Sequence, residues 1–126
     1  MVHIEYWLYI EQELSDLMEP FGSIFQVNDF DIDAENVWEW IEGNSASLQA
    51  EINITREHNW DKGEYSKPLQ IRIKFTAQNE IEDELINTLG NKISEQLNTD
   101  VIYGKIRYIK GNEYDFTALK KFSLLH

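Results

Sequence analysis

The fold is decided by the stretch Leu48–Arg56, which reads Leu-Gln-Ala-Glu-Ile-Asn-Ile-Thr-Arg. Apolar and polar residues alternate along it, and a period of two is typical of a strand with one buried face. After a polar connection, Leu69–Phe75 repeats the same alternation. The two segments therefore predict two strands of one antiparallel sheet.

Before these strands, the sequence predicts a further strand and two helices. Aromatic and β-branched residues make Val2–Ile10 a strand, and the apolar spacing over Ile10–Phe21 predicts a helix that ends near Pro20. The segment Ser23–Val27 is compatible with a short strand or an irregular link. The segment Asp33–Glu42 predicts a short helix, because its first residue is a suitable N-cap.

After the two strands, the most regular helical pattern extends over Glu80–Leu97. Gly90 weakens this helix unless a close neighbour needs the space. Val101–Ile109 and Tyr114–Leu119 predict a final hairpin. Without its last strand and the short helix Asp33–Glu42, the order is βαββαβ. We therefore predict a single α+β domain over residues 1–126, a ferredoxin-like sandwich with an antiparallel sheet and an extra C-terminal hairpin strand.

Charge is distributed unevenly along the 126 residues, whose formal net charge is −12. From Met1 to Thr55 there are twelve Asp or Glu residues and no Lys or Arg. Phosphate contacts need clustered Lys and Arg, so we expect no nucleic-acid partner, and an anionic membrane surface would repel the chain. A basic protein would instead be steered toward the N-terminal half.

The composition excludes several other classes of protein. The chain has no cysteine, which rules out a disulfide scaffold, thiol catalysis and a thiolate metal site. No apolar run has the length of about 18–20 residues that a membrane helix needs. The first residues lack the basic stretch of a signal peptide, so we expect a cytoplasmic protein.

Two local patterns suggest chemistry, and their surroundings argue against both. The carboxylates of Asp29–Asp33 have the spacing that opens an EF-hand loop, but Ala34 stands where the loop needs Gly and Trp40 where it needs Glu. His58 has carboxylates nearby in the sequence, but it is the one histidine away from the chain ends, and no catalytic motif accompanies it. We expect no metal, no cofactor and no enzymatic activity.

The aromatic segment Val37–Ile41 is the most unusual part of the acidic half. In a helix, Trp38 and Trp40 point in different directions, so both indoles cannot easily enter one core. Either Trp38 is buried and Trp40 lies against a neighbouring loop, or Trp40 forms an exposed anchor ringed by carboxylates, as at many protein interfaces. Trp60, in the connection His58–Pro68, is a second candidate anchor, or it folds back onto the sheet.

We predict a partner-binding surface from the acidic and aromatic residues of Asp29–Glu42 and Glu57–Glu64. Its members are Asp29, Asp31, Asp33, Glu35, Glu39, Trp40, Glu42, Glu57, Trp60, Asp61 and Glu64. An acidic, cysteine-free α+β domain with such a surface resembles the small bacterial immunity proteins of polymorphic and contact-dependent inhibition toxin systems. This resemblance of type implies a cytoplasmic protein that binds and neutralises one cognate toxin domain, often a basic nuclease.

A second interpretation belongs to a different class: a ferredoxin-like homodimer that binds a small ligand, or regulates a process, through pairing of its sheets. A monomer that its partner stabilises would favour the inhibitor. A stable dimer that retains a metabolite would favour the second interpretation. A small enzyme ranks third, because it would need a convergent pocket around His58.

Overall fold

The computed structural model describes residues 2–57, 67–110 and 113–123 of the chain. These residues form seven strands and two helices, in the order β1 (Val2–Leu8), α1 (Leu14–Phe25), β2 (Asp31–Glu35), β3 (Trp38–Ser45), β4 (Ala50–Glu57), β5 (Leu69–Phe75), α2 (Asp83–Leu97), β6 (Val101–Lys110) and β7 (Glu113–Phe122). Neither helix of the described ranges is long and apolar enough to span a membrane.

All seven strands belong to one antiparallel sheet, in the order β2-β3-β4-β5-β1-β6-β7. The strand β1 therefore lies between β5 and β6, and α2 connects the two strands that flank it. The prediction of an α+β fold with an antiparallel sheet is confirmed. The ferredoxin-like topology is not confirmed, because the strand order differs and two unpredicted strands, β2 and β3, extend one edge.

The segment predicted as the helix Asp33–Glu42 instead belongs to the hairpin of β2 and β3, so that prediction is wrong. Asn36, in the turn of this hairpin, has a left-handed φ of 57°, which tight two-residue turns require. The strand β3 then pairs along its whole length with β4. Tertiary pairing of this kind overrides the local preference of an aspartate for a helix N-cap.

Helix α1 is longer at its C-terminal end than predicted, because it continues through Pro20 to Phe25. The additional turn buries Ile24 and Phe25, which offsets the hydrogen bond that Pro20 cannot donate. The alternative of a strand over Ser23–Val27 is therefore wrong. The helix ends at Phe25, and its C-cap residue Gln26 has a left-handed φ of 57°.

The core lies between the two helices, which contact each other, and one face of the sheet. Tyr6 on β1 is fully buried there, and its hydroxyl donates a hydrogen bond of 2.7 Å to the carbonyl oxygen of Ile86 on α2. Gly90 on α2 has a close neighbour that needs the space left by its missing side chain. A Cβ at this position would lie 2.4 Å from the ring of Phe122, so glycine lets β7 pack against α2.

The helix-covered face also contains a fully buried guanidinium, that of Arg56 on β4. It forms an ion pair of 2.8 Å with Glu39 on β3, whose side chain is 9% exposed. Two further hydrogen bonds, of 3.0 and 2.9 Å, reach the carbonyl oxygens of Ile10 and Gln12. Arg56 thus ties the connection between β1 and α1 to the β3–β4 hairpin.

Candidate functional site

The candidate site lies on the second face of the sheet, which neither helix covers and which we call the open face. Strand register fixes which side chains meet there, because directly paired residues on neighbouring strands point to the same side. One row across the open face consists of Asp33, Trp40, Thr55, Gln70 and Trp7. The next row consists of Asp31, Glu42, Asn53, Arg72, Glu5 and Gly104.

Acidic and aromatic side chains meet at the β2 side of the open face, in a group that we call the acidic tryptophan surface. Its members are Asp31, Asp33, Glu35, Trp38, Trp40, Glu42 and Glu57. Trp38 lies between Glu35 and Glu57 in the pairing of β2, β3 and β4. Trp40 has Asp33 as its partner on β2. Each indole therefore has an acidic neighbour on the edge strand.

The two tryptophans point to the same side, so the expectation that they diverge is wrong. Residues two apart in a strand lie on one face, whereas the expectation assumed a helix. Trp38 is 38% exposed, and it is the member of this surface that our list of candidate residues missed. The signal that was available is the alternation of period two over Asp31–Glu35, which indicates a strand and not a helix.

The strand β2 forms one edge of the sheet, and all five of its residues are exposed. Its three carboxylates occupy alternate positions and are therefore spaced by about 6.7 Å along the strand. The backbone N–H of Ala34 donates a hydrogen bond of 2.8 Å to Oδ1 of Asp33. Because charged edges oppose the addition of further strands, this edge presents charge rather than a template for pairing.

The other predicted site residues are placed differently. Asp29 is exposed in the connection before β2. Glu39 requires a correction, because it is buried on the helix-covered face, where Arg56 holds its carboxylate. It is therefore excluded from the partner-binding surface. Outside the described residues lie His58, Trp60, Asp61 and Glu64.

A second arginine–glutamate pair, Arg72 and Glu5, occupies the centre of the open face. Glu5 is only 5% exposed and accepts a hydrogen bond of 3.0 Å from Nε1 of Trp7. Burial raises the pKa of Glu5 above its ordinary value of 4.5, although the hydrogen bonds from Arg72 and Trp7 act in the opposite direction. Nη2 of Arg72 donates a hydrogen bond of 3.1 Å to Gln70, which fixes the orientation of the guanidinium.

Aromatic rings cover the β7 side of the open face. Trp7 stacks on Phe116, with the ring centroids 4.0 Å apart and an interplanar angle of 4°. Gly104 on β6 makes this possible, because a Cβ there would lie 2.5 Å from the ring of Phe116 and 2.4 Å from the carbonyl oxygen of Thr117. The open face is therefore acidic at its β2 side and aromatic at its β7 side.

Two depressions on the open face meet at His3 and Arg72, which line both of them. The first has a volume of about 470 Å³ and extends toward Asp31 at the β2 side. The second has a volume of about 460 Å³ and extends toward Gly104 and Ile106 on β6. Together they form a trough that runs across the strands.

The described ranges contain no group of three or more His, Asp or Glu side chains placed to hold a metal ion. Comparison of the chain with known protein families, curated proteins and solved structures finds no match. Function is therefore inferred from the geometry and charge of the open face.

Proposed function

We propose that this protein binds and neutralises a basic protein domain through the acidic tryptophan surface, as a cytoplasmic immunity protein whose partner is a nuclease-type toxin. The observation that supports the proposal most is the placement of two indoles among carboxylates on one exposed sheet face. Lys and Arg side chains of a partner interact favourably with both kinds of group, by cation–π contact and by charge-assisted hydrogen bonds.

The distribution of charge fits the kinetic demand on an inhibitor, which must associate before its target does harm. Residues 1–66 hold fifteen acidic and two basic residues, so a basic partner is attracted to one part of the chain. Electrostatic steering raises association rate constants to about 10⁸–10⁹ M⁻¹s⁻¹ at low salt. Tryptophan anchors at the same place would bury aromatic surface and slow dissociation.

A nuclease is the toxin class that this charge fits best. An enzyme that binds nucleic acid carries Lys and Arg along the groove that contacts the phosphates. A row of carboxylates flanked by indoles has the opposite charge to such a groove. We therefore propose that the acidic tryptophan surface covers basic residues of the toxin.

A second candidate function, a small-ligand or regulatory module that acts as a homodimer, is favoured by the trough. Depressions of this size match the range of about 300–1,000 Å³ typical of ligand pockets. A ferredoxin-like unit would in this case consist of β1, α1, β4, β5, α2 and β6, with the β2–β3 hairpin inserted and β7 appended. A stable dimer that carries a metabolite after purification would support this candidate.

The test of the main proposal is binding to the protein encoded immediately upstream of this gene. The tagged chain is used to capture that protein, and the Kd is measured for wild type and for Trp40→Ala. Removal of a central tryptophan anchor is expected to weaken binding by about 2 kcal/mol, or roughly thirtyfold. Wild type should also protect cells from the upstream protein, and Trp40→Ala should protect them less.

Tyr9→Ala is the matched control, because Tyr9 is a 65% exposed aromatic residue outside the acidic tryptophan surface. This variant should keep the affinity of wild type. Equal losses in the two variants, or no capture of the upstream protein by wild type, would contradict the proposal.

A further inference from the structure

We infer that the trough receives one extended segment of the partner, with Lys or Arg at the β2 end, a carboxylate at Arg72 and an apolar side chain at the β6 end. The inference rests on the proposed function and specifies which part of the partner lies in the centre of the open face. It goes beyond the acidic tryptophan surface, because it assigns a binding role to residues of β1, β5 and β6.

The dimensions of the trough suit an extended chain. From Glu42 on β3 to Gly104 on β6 it crosses four strand spacings, or about 19 Å. At about 3.3 Å per residue, roughly six extended residues cover this distance. A segment of that length lies across the strands and places its alternate side chains into the two depressions.

Arg72 provides a donor at the middle of the trough. Its Nε donates a hydrogen bond to Glu5 and its Nη2 donates one to Gln70, whereas Nη1 forms no hydrogen bond to any described residue. The side chain is 41% exposed. A guanidinium held on two sides presents its remaining N–H groups to a carboxylate in a fixed geometry, which lowers the entropy lost on binding.

A lysine beside Arg72 adds positive charge at this point. Lys74, two residues further along β5, lines the first depression. Lys74 is paired with Glu51 at a distance of 3.6 Å, which leaves Arg72 as the better placed donor.

The two ends of the trough differ, and this difference fixes the direction of the segment. At the β2 end, Asp31 and Glu42 form no ion pair with a described residue, so they are available to a partner cation. At the β6 end, the half-buried side chain of Ile106 provides an apolar contact, whereas the ring of Phe116 fills the space beside Gly104.

The experiment uses two synthetic peptides as probes, Ac-Lys-Lys-Gly-Glu-Gly-Leu-NH₂ and its counterpart with Gln in place of Glu. Each is titrated into wild type, Arg72→Gln and Lys92→Gln, and the Kd is read from amide chemical shifts. A hydrogen bond between the peptide carboxylate and Arg72 predicts that Glu binds about tenfold more tightly than Gln to wild type. The same preference should persist in Lys92→Gln, which removes an exposed cation on α2, and should disappear in Arg72→Gln.

A second variant keeps the test decisive if Arg72→Gln folds poorly. Asn53 lies between Glu42 and Arg72 in the row that crosses the trough, so Asn53→Phe fills the floor and leaves the Arg72–Glu5 pair intact. This variant should bind both peptides more weakly than wild type does. The proposed role of the trough would be wrong if wild type, Arg72→Gln and Lys92→Gln preferred the Glu peptide equally, or if Asn53→Phe bound both peptides as tightly as wild type. Neither result would contradict the proposal for the acidic tryptophan surface. A different result, the absence of binding to the upstream-encoded protein, would contradict the proposed function.

Discussion

Two arginine–glutamate pairs among the described residues lie on opposite faces of one sheet and differ in what surrounds the guanidinium. On the helix-covered face, the side chains of Arg56 and Glu39 are 0% and 9% exposed. On the open face, those of Arg72 and Glu5 are 41% and 7% exposed. The glutamate is buried in both pairs, so the exposure of the arginine is what distinguishes them.

Because of this difference, the Arg56–Glu39 pair can contribute only to stability, whereas Arg72 of the other pair can still contact a partner. Arg56 donates hydrogen bonds to the buried carboxylate of Glu39 and to two backbone carbonyl oxygens of the connection between β1 and α1. Arg72 bonds to two neighbours within its own face and borders both depressions. The same two residue types thus serve stability on one face and are proposed to serve recognition on the other.

The largest expected effect is that of Arg56→Ala, which should lower the free energy of unfolding by about 3–5 kcal/mol, because Arg56 is fully buried and its removal leaves Glu39 and two carbonyl oxygens without a donor. Arg72→Ala should cost only about 1–2 kcal/mol, because water reaches that position and Trp7 still bonds to Glu5. Urea unfolding of both variants and of wild type measures the difference.

Replacement of the whole buried pair sharpens this comparison. The double variant Glu39→Leu/Arg56→Leu should recover part of the stability that Arg56→Ala loses, since no buried charge then remains unpaired. Recovery should be incomplete, because the carbonyl oxygens of Ile10 and Gln12 lose their donor. Equal losses for Arg56→Ala and Arg72→Ala would show that the two pairs have the same role.

The parts of the fold that follow from local pattern were predictable. Leu69–Phe75 forms a strand with the predicted bounds, because its alternation is unbroken. The β2–β3 hairpin was missed, since Asp33 resembles an N-cap and the spacing of Val37 and Ile41 resembles a helix face. Strand order was not predictable, because β1 pairs with β5 and β6 across long stretches of chain.

The sequence was sufficient to identify most of the charged residues of the site, but not the side of the sheet on which each of them lies. The carboxylates of β2 were identified by composition, and Glu39 was included with them although its position in the alternation turns it to the helices. Trp38 was missed for the same reason, because a helix was assumed. The Arg72–Glu5 pair had no local signal, since burial of a charged residue depends on strands distant in sequence.

A smaller effect concerns the pH dependence of stability and arises from Glu5. Its pKa in the folded state is raised, so the folded protein holds this proton more tightly than the unfolded chain does. Relative to Glu5→Gln, wild type should therefore lose stability as the pH rises from the ordinary value of 4.5 through the raised pKa. Below that range the two stability curves should run parallel.

Urea unfolding between pH 3 and 8, roughly the range in which a perturbed carboxyl titrates, measures this difference. Glu95→Gln, an exposed position on α2, controls for the change in net charge. A stability of wild type that rises with pH relative to Glu5→Gln would contradict the assigned direction of the shift.

The central claim is that the acidic tryptophan surface, and not the net charge alone, attracts a basic partner. The most direct test compares association rate constants with the upstream-encoded protein for Asp33→Lys/Glu35→Lys and for Glu19→Lys/Glu95→Lys, which changes the charge equally at exposed positions on the helices. At low salt the first variant should associate at least about tenfold more slowly than wild type and depend less on salt, whereas the second should remain close to wild type. Equal slowing in both variants, or none in either, would contradict the claim.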